Sequence, residues 1–208
     1  MIADVNLPLI LLAALIASCS PGPATLAIAG TSMASGRRYG LALASGITTG
    51  SLMWSVGAAA GLSVIMLANA WAFEVLRYFG AGYLLFLAFK SARSALRRGA
   101  PVTSRIAAPT LGAAYRRGLL LHLTNPKAIL FFGALYAVGI PAGTSPATLA
   151  VVILAIGLQS FLMFHGYALL FSSPPMTAGY AKLRRWFEAA FALAFGAAGF
   201  KILTARLD

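Results

Sequence analysis

Charged residues are scarce in this sequence, and acidic residues are the scarcest. Only 10% of the 208 residues are charged and 60% are hydrophobic, whereas about 25% of the residues in a soluble domain are charged. So few charges could not cover a surface that faces water. Apolar runs recur along nearly the whole chain and leave no stretch long enough for a soluble domain. We therefore expect residues 1–208 to form a single domain within a lipid bilayer.

Cysteine occurs once, as Cys19. A single cysteine excludes an internal disulfide bond and any multi-cysteine metal site. The segment Ile16-Ala17-Ser18-Cys19 is similar to the cleavage site of bacterial lipoproteins. A signal peptide begins with positive charge, and no Lys or Arg precedes this apolar run, so we expect Cys19 to carry no lipid.

Motifs for catalysis and for metal binding are also missing. The sequence has no Ser-His-Asp set, no glycine-rich phosphate loop and no pair of carboxylates within an apolar segment, so we predict no catalytic residues and no enzyme activity. His122 and His165 have no cysteine or acidic companion. We therefore predict no metal site and no cofactor.

The net charge of +12 results from 16 Lys and Arg against four acidic residues. In a soluble protein this excess would indicate binding to nucleic acid. Here the basic residues lie in short connectors between apolar segments. We interpret them as determinants of membrane topology and predict no nucleic-acid partner.

Six segments are apolar enough to span a bilayer, which takes about 20 residues as an α-helix. They predict an all-α integral membrane protein. The segments are Leu7–Met33, Gly40–Ala68, Phe73–Phe89, Gly118–Val138, Pro146–Phe171 and Trp186–Leu203.

The positions of the basic residues predict the orientation of these segments. Twelve of the 16 Lys and Arg lie in the first, third and fifth connectors, and cytoplasmic loops carry such an excess. Six spans then place both termini on the outer side of the membrane.

The first and fourth segments share a proline break near the middle. The breaks are Ser20-Pro21-Gly22-Pro23 and Thr124-Asn125-Pro126-Lys127, at corresponding positions of two halves, about residues 1–98 and 112–208. Repeats with three spans each must insert with opposite orientations. Inverted repeats with matched broken helices are typical of secondary transporters, in which the breaks mark the substrate site.

Each break offers groups that could bind an anion. The half-helix that restarts after a proline exposes amides without carbonyl partners, and its dipole places about half a positive charge there. Lys127 lies about 14 Å along the segment that starts at Gly118, at a depth where a lysine is usually functional. Two alternatives stay open: the breaks could be architectural kinks, or Lys127 could extend to an interface.

Other polar residues have structural explanations. We expect Glu188 to form an ion pair with Arg184, four residues earlier, and Gln159 and His165 to make buried hydrogen bonds. Gly46-x-x-x-Gly50 and Gly57-x-x-x-Gly61 allow close approach of another backbone. That backbone could belong to this chain or to a second subunit, so a homodimer stays an alternative.

Four motifs in order along the chain resemble the lysine exporter (LysE/RhtB) family of amino-acid translocators, and the resemblance covers nearly the full length. The motifs are Ser20-Pro21-Gly22-Pro23-Ala24-Thr25, Gly36-Arg37-Arg38-Tyr39-Gly40, Gly80-x-x-Tyr83-Leu84-x-Phe86-Leu87-Ala88 before Lys90, and Gly118-x5-Thr124-Asn125-Pro126-Lys127-Ala128-x-x-Phe131-Phe132.

The resemblance implies a bacterial inner-membrane exporter of amino acids or close derivatives, with about six helices and efflux driven by the proton motive force. Its expected partners are the lipid bilayer and a small-molecule substrate. The expected substrate-binding residues are Ser20, Pro21, Gly22, Pro23, Thr25, Thr124, Asn125, Pro126 and Lys127. Ala24 stands where family members often have Asn or Asp, so export of a cation or another metabolite, or a non-transporting membrane subunit, are the alternatives.

Overall fold

The computed structural model describes residues 5–20, 22–68, 70–96, 110–141 and 143–204, and these ranges are helical without any strand. The predicted all-α fold class is therefore confirmed. The helices are α1 (Leu7–Cys19), α2 (Pro23–Ser35), α3 (Arg37–Ala68), α4 (Ala70–Leu96), α5 (Leu111–Leu123), α6 (Pro126–Gly139), α7 (Pro146–Leu170) and α8 (Pro174–Thr204).

Short polar residues start several of these helices by capping their free amides. The side chain of Asn6 accepts from the Leu9 amide, Thr110 from Ala113, and Ser145 from Thr148. Each cap satisfies one of the first amides of a helix, which have no partner inside the helix.

Two of the predicted spans are broken, as the sequence indicated. The axes of α1 and α2 meet at 53°, and those of α5 and α6 meet at 56°. Within the described ranges, these two bent pairs and the straight α7 have the length and hydropathy of membrane spans. The count of six spans stays a prediction.

Two helices begin before the apolar segments that were predicted within them. The fourth segment was expected to begin at Gly118, but α5 begins at Leu111; the sixth was expected to begin at Trp186, but α8 begins at Pro174. In both cases hydropathy excluded a basic stretch that is helical nonetheless, because a helix extends beyond its apolar part when its end is capped or polar.

The α3 and α5 helices touch backbone to backbone through glycines. A Cβ atom added at Gly46 would overlap the carbonyl oxygen of Tyr115, and one added at Gly118 would overlap that of Leu43. The Gly46-x-x-x-Gly50 motif therefore packs inside this chain. A Cβ atom at Gly57 or Gly61 would meet no atom of the described residues within 4 Å, so the homodimer stays a prediction.

Two apolar clusters place the halves of each broken helix in different surroundings. One cluster joins α1, α6 and α7 with residues of α3, α4 and α8, and the other joins α2, α3, α5 and α7. Accordingly, α1 contacts α6 while α2 contacts α5. Both breaks thus lie where the two clusters meet, and α7 borders both.

The α7 helix shows which surface faces lipid. Leu154, Leu158 and Leu162 are 68%, 61% and 61% exposed, whereas Ile156 and Phe164 are buried. One face of leucines and one buried face fit a helix between hydrocarbon and the protein interior.

Candidate functional site

The first break separates the carbonyl end of α1 from the amide end of α2. Ser20 closes α1 with its amide, which donates to the Ile16 carbonyl at 3.0 Å. Gly22 precedes α2 in an extended conformation and provides no side-chain cap. The first amides of α2 therefore present the positive end of the helix dipole uncapped by any side chain. Ser20 and Thr25 flank this point and are buried, whereas Pro21 lies outside the described residues.

The second break has a side-chain cap, unlike the first. The side chain of Asn125 accepts from the Lys127 amide at 3.0 Å, and Pro126 occupies the first position of α6. Thr124 is exposed, and its hydroxyl donates back to the Leu120 carbonyl at 2.8 Å. Asn125 therefore belongs to the interior of this break and Thr124 to its outer side.

The side chain of Lys127 connects the two breaks. Its Nζ donates to the carbonyl oxygen of Ala17 at 3.1 Å and to that of Ser20 at 2.9 Å. The last carbonyls of a helix lack partners within the helix and carry its negative dipole end, so a cation is stabilised there. The lysine of the second break thus caps the helix that ends at the first, and its amine points into the protein.

Two further side chains hold this arrangement. The Tyr83 hydroxyl, on α4, donates to the Lys127 carbonyl at 3.1 Å. The Tyr167 hydroxyl, on α7, donates to the Cys19 carbonyl at 3.3 Å. The end of α1 and the start of α6 are therefore fixed from two neighbouring helices.

A cavity of about 50 Å³ lies between the breaks. One water molecule needs about 10–15 Å³ of such space, so the cavity has room for a few waters. Five of the nine predicted site residues line it, namely Ser20, Gly22, Thr25, Asn125 and Lys127. Pro23 begins α2 beside it, and nothing is described of the Pro126 side chain.

Four polar lining residues were missed by the sequence reasoning, namely Ser18, Ser51, His122 and Ser160. His122 lies on the last turn of α5 and Ser51 on α3, and the His122 Nε2 and the Ser51 hydroxyl are 3.0 Å apart. Polar residues at membrane depth are a general sign of function. That sign was present at His122, which was considered only as a metal ligand.

Gln159 and His165 make hydrogen bonds, as predicted, although these bonds are only partly buried or exposed. Gln159 Nε2 donates to the Leu11 carbonyl at 2.9 Å. His165 lies 3.0 Å from the Ser45 hydroxyl and 2.9 Å from the Phe161 carbonyl. Glu188 is buried on α8, but the side chain of Arg184 lies outside the described ones, so their ion pair stays a prediction.

Comparison with known proteins agrees with this architecture. Residues 15–206 match the LysE type translocator family. The chain belongs to this family. It is therefore a multi-pass membrane transporter, with a small-molecule substrate, and not an enzyme.

Several relatives of this LysE type translocator cover nearly the whole chain. It is 28% identical to the threonine efflux protein of Salmonella typhi over 194 residues, which are 92% of this chain and 94% of the relative. It is 29% identical to the threonine efflux protein of Escherichia coli K12 over 196 residues, again 92% and 94%. It is 30% identical to the uncharacterized membrane protein YahN of the same strain over 169 residues, 80% of this chain and 74% of the relative. No solved structure matches.

Proposed function

We propose that this translocator exports amino acids or close derivatives across the bacterial inner membrane, and that the cargo binds between the two helix breaks. The main support for this binding site is the position of Lys127. Its backbone belongs to the second break, but its Nζ lies at the first. The names of the threonine efflux relatives support amino acids as the cargo class.

The cargo carboxylate would bind at the positive groups of the site. Lys127 donates to neutral carbonyls of Ala17 and Ser20, and a charged acceptor makes a stronger hydrogen bond with an ammonium group than a neutral one does. A carboxylate can therefore draw the Nζ away from those carbonyls. The uncapped amides at the start of α2 add donors of the same sign.

The same charges weigh against a cation as the cargo. Protein sites for Ca²⁺ and Mg²⁺ usually include carboxylate ligands. Among the described residues that line the cavity there is no Asp or Glu, while Lys127 contributes positive charge. A cargo with an anionic group fits this cavity better.

Transport would proceed by movement of two inverted three-helix repeats within one domain, about residues 1–98 and 112–208. The exchanged contacts of the half-helices, α1 with α6 and α2 with α5, support this arrangement. A cavity with room for a few waters must widen to admit an amino acid, and separation of the halves would widen it. The excess of Lys and Arg in alternate connectors supports periplasmic termini, and we propose the proton motive force as the energy source.

Thermal unfolding of the detergent-purified protein with a panel of amino acids tests this function. A ligand that binds only the folded state raises the melting temperature. We expect at least one amino acid to stabilise the wild type, and Lys127→Ala to abolish that shift. Lys182→Ala is the matched control, because Lys182 is an exposed lysine of α8 that does not line the cavity. Stabilisation of Lys127→Ala equal to that of the wild type would refute the site, and a wild type that no amino acid stabilises would refute the cargo class.

A further inference from the structure

The side chain of His122 is held in the wall of the cavity. Its Nε2 lies 3.0 Å from the Ser51 hydroxyl, and the indole of Trp54 donates to its backbone carbonyl at 3.3 Å. Gly50 leaves room for it, since a Cβ atom there would come within 3.0 Å of the His122 Cβ. The edge of Phe164 packs on the ring, with centroids 5.9 Å apart. The ring is thus oriented by α3 and α7.

The second ring nitrogen of His122 has no comparable contact. Nδ1 is buried and has no hydrogen-bond partner among the described residues, and the residue is only 5% exposed. His165 provides the contrast within the same chain, because both of its ring nitrogens lie within hydrogen-bond distance of an oxygen. Buried polar atoms are normally paired, so one that is not requires an explanation.

The polar groups of the cavity match only part of a zwitterion. Lys127 and the start of α2 can bind a carboxylate, but an ammonium group needs acceptors. With no carboxylate among the described lining residues, the acceptors for an ammonium group must be neutral. An imidazole whose Nε2 carries the hydrogen and donates to Ser51 presents such an acceptor at Nδ1.

We infer that His122 Nδ1 accepts a hydrogen bond from the α-ammonium group of an amino-acid cargo, and that a proton competes with the cargo for this nitrogen. The inference rests on the proposed function and adds the residue that couples it to protons. When Nδ1 binds a proton, both ring nitrogens become donors, and the imidazolium repels the ammonium group. The cargo then leaves; when the proton dissociates from Nδ1 to the cytoplasm, the lone pair is free for the next cargo.

Among the groups around the cavity, His122 is the one whose protonation would weaken cargo binding. The α2 helix carries no titratable side chain. The α3 helix places Ser51 against the ring and Trp54 against the backbone carbonyl of His122. The α6 helix presents Lys127 to the same cavity, and α7 carries His165, which is bonded to Ser45. Protonation of Lys127 would strengthen binding of the cargo carboxylate. Its effect on the affinity for the cargo is therefore opposite to that of protonating His122.

The test is calorimetric binding of L-threonine to the purified full-length protein at about pH 8 and about pH 4, so that the acid end lies well below the pH range in which exposed imidazoles gain a proton. We expect the affinity of the wild type to fall about tenfold or more towards acid pH. His122→Gln keeps a neutral acceptor but cannot gain a proton, so it should bind within a few-fold of the wild type at the higher pH and lose the pH dependence. His122→Phe should bind about tenfold more weakly at the higher pH.

Two controls separate this role from a general effect of the substitutions. His165→Gln removes the other histidine and should keep the pH dependence of the wild type. The deaminated analogue 3-hydroxybutanoate has no donor on its α-carbon, so its affinity should be the same in the wild type and in His122→Phe. Acid-sensitive binding in His122→Gln, or unchanged threonine affinity in His122→Phe, would overturn the inference while leaving the proposed function intact. A wild type that binds neither L-threonine nor any other amino acid of the thermal panel at either pH would overturn both.

Discussion

The Nζ of Lys127 donates a hydrogen bond of 2.9 Å to the carbonyl oxygen of Ser20, a residue 107 positions earlier in the chain. This bond joins the end of α1 to the start of α6. The negative end of α1 and the positive start of α6 are therefore both close to the side chain of Lys127. A carboxylate that draws the Nζ away from Ser20 would also release the cap of α1. Cargo binding and the conformation of the first break are thus linked through one side chain.

Replacing Lys127 should destabilise the folded protein as well as abolish binding. Lys127→Met keeps the length and apolar stem of the side chain but leaves the carbonyls of Ala17 and Ser20 without their donor. Loss of a buried hydrogen-bond partner costs about 1–3 kcal/mol. We expect the free energy of unfolding in detergent to fall by about that amount, measured by chemical denaturation followed by tryptophan fluorescence.

The control for this effect is Lys182→Met, at an exposed lysine of α8. It should change the free energy of unfolding by less than about 0.5 kcal/mol, as surface substitutions usually do. Equal stability of the two variants would show that the bonds from Lys127 do not stabilise α1.

The contact between α3 and α5 should tolerate no side chain at its centre. In Gly118→Ala, the new Cβ atom would overlap the Leu43 carbonyl, which is backbone and cannot rotate away. Overpacking of a tight contact costs about 1–3 kcal/mol. We expect a lower melting temperature and less folded protein in the membrane fraction. Gly57→Ala is the matched control in a helix, where a Cβ atom meets no described atom and alanine favours the helix over glycine. A loss of stability as large in Gly57→Ala would contradict this account of the packing.

The sequence predicted the breaks well because their causes are local. A proline removes an amide hydrogen bond wherever it occurs, and the cap of Asn125 reaches only to Lys127, two residues later. The bonds of Lys127 to Ala17, and of His122 to Ser51, join residues far apart in the chain. No local pattern encodes such a pair, so these parts of the site depend on how the helices pack.

The helical residues that precede the predicted apolar segments have a related explanation. Hydropathy detects the part of a helix that faces lipid, whereas α5 begins at the Thr110 cap and includes Arg116 and Arg117. The glycine contacts were recognisable as a motif, but the choice between an internal helix and a second subunit required the position of Gly118 opposite Leu43.

Asn125 should contribute both to the stability of the folded protein and to amino-acid binding, whereas the other helix caps should contribute to stability alone. Its side chain caps α6 and also lines the cavity. Asn125→Ala should lower the free energy of unfolding by about 1 kcal/mol, the usual value of a cap, and should also remove amino-acid stabilisation in the thermal assay.

Ser145→Ala separates these two effects. Ser145 caps α7 by accepting from the Thr148 amide, and it does not line the cavity. We expect a similar loss of stability with the ligand-induced shift retained. If Ser145→Ala lost the shift as well, the effect of Asn125→Ala on binding could be attributed to general instability.

The orientation of the chain can be tested with single cysteines in a Cys19→Ser background, which has no other thiol. The basic connectors predict that Lys182, which is exposed at the start of α8, faces the cytoplasm, and that Thr144, which precedes α7, faces the periplasm. A membrane-impermeant maleimide added to intact spheroplasts should therefore label Thr144→Cys and spare Lys182→Cys. Lysis should expose both sites. The α7 helix, which has the length and hydropathy of a single span, separates the two positions. Labelling of both from the same side would therefore remove α7 as a membrane span, and the reversed pattern would place the termini in the cytoplasm.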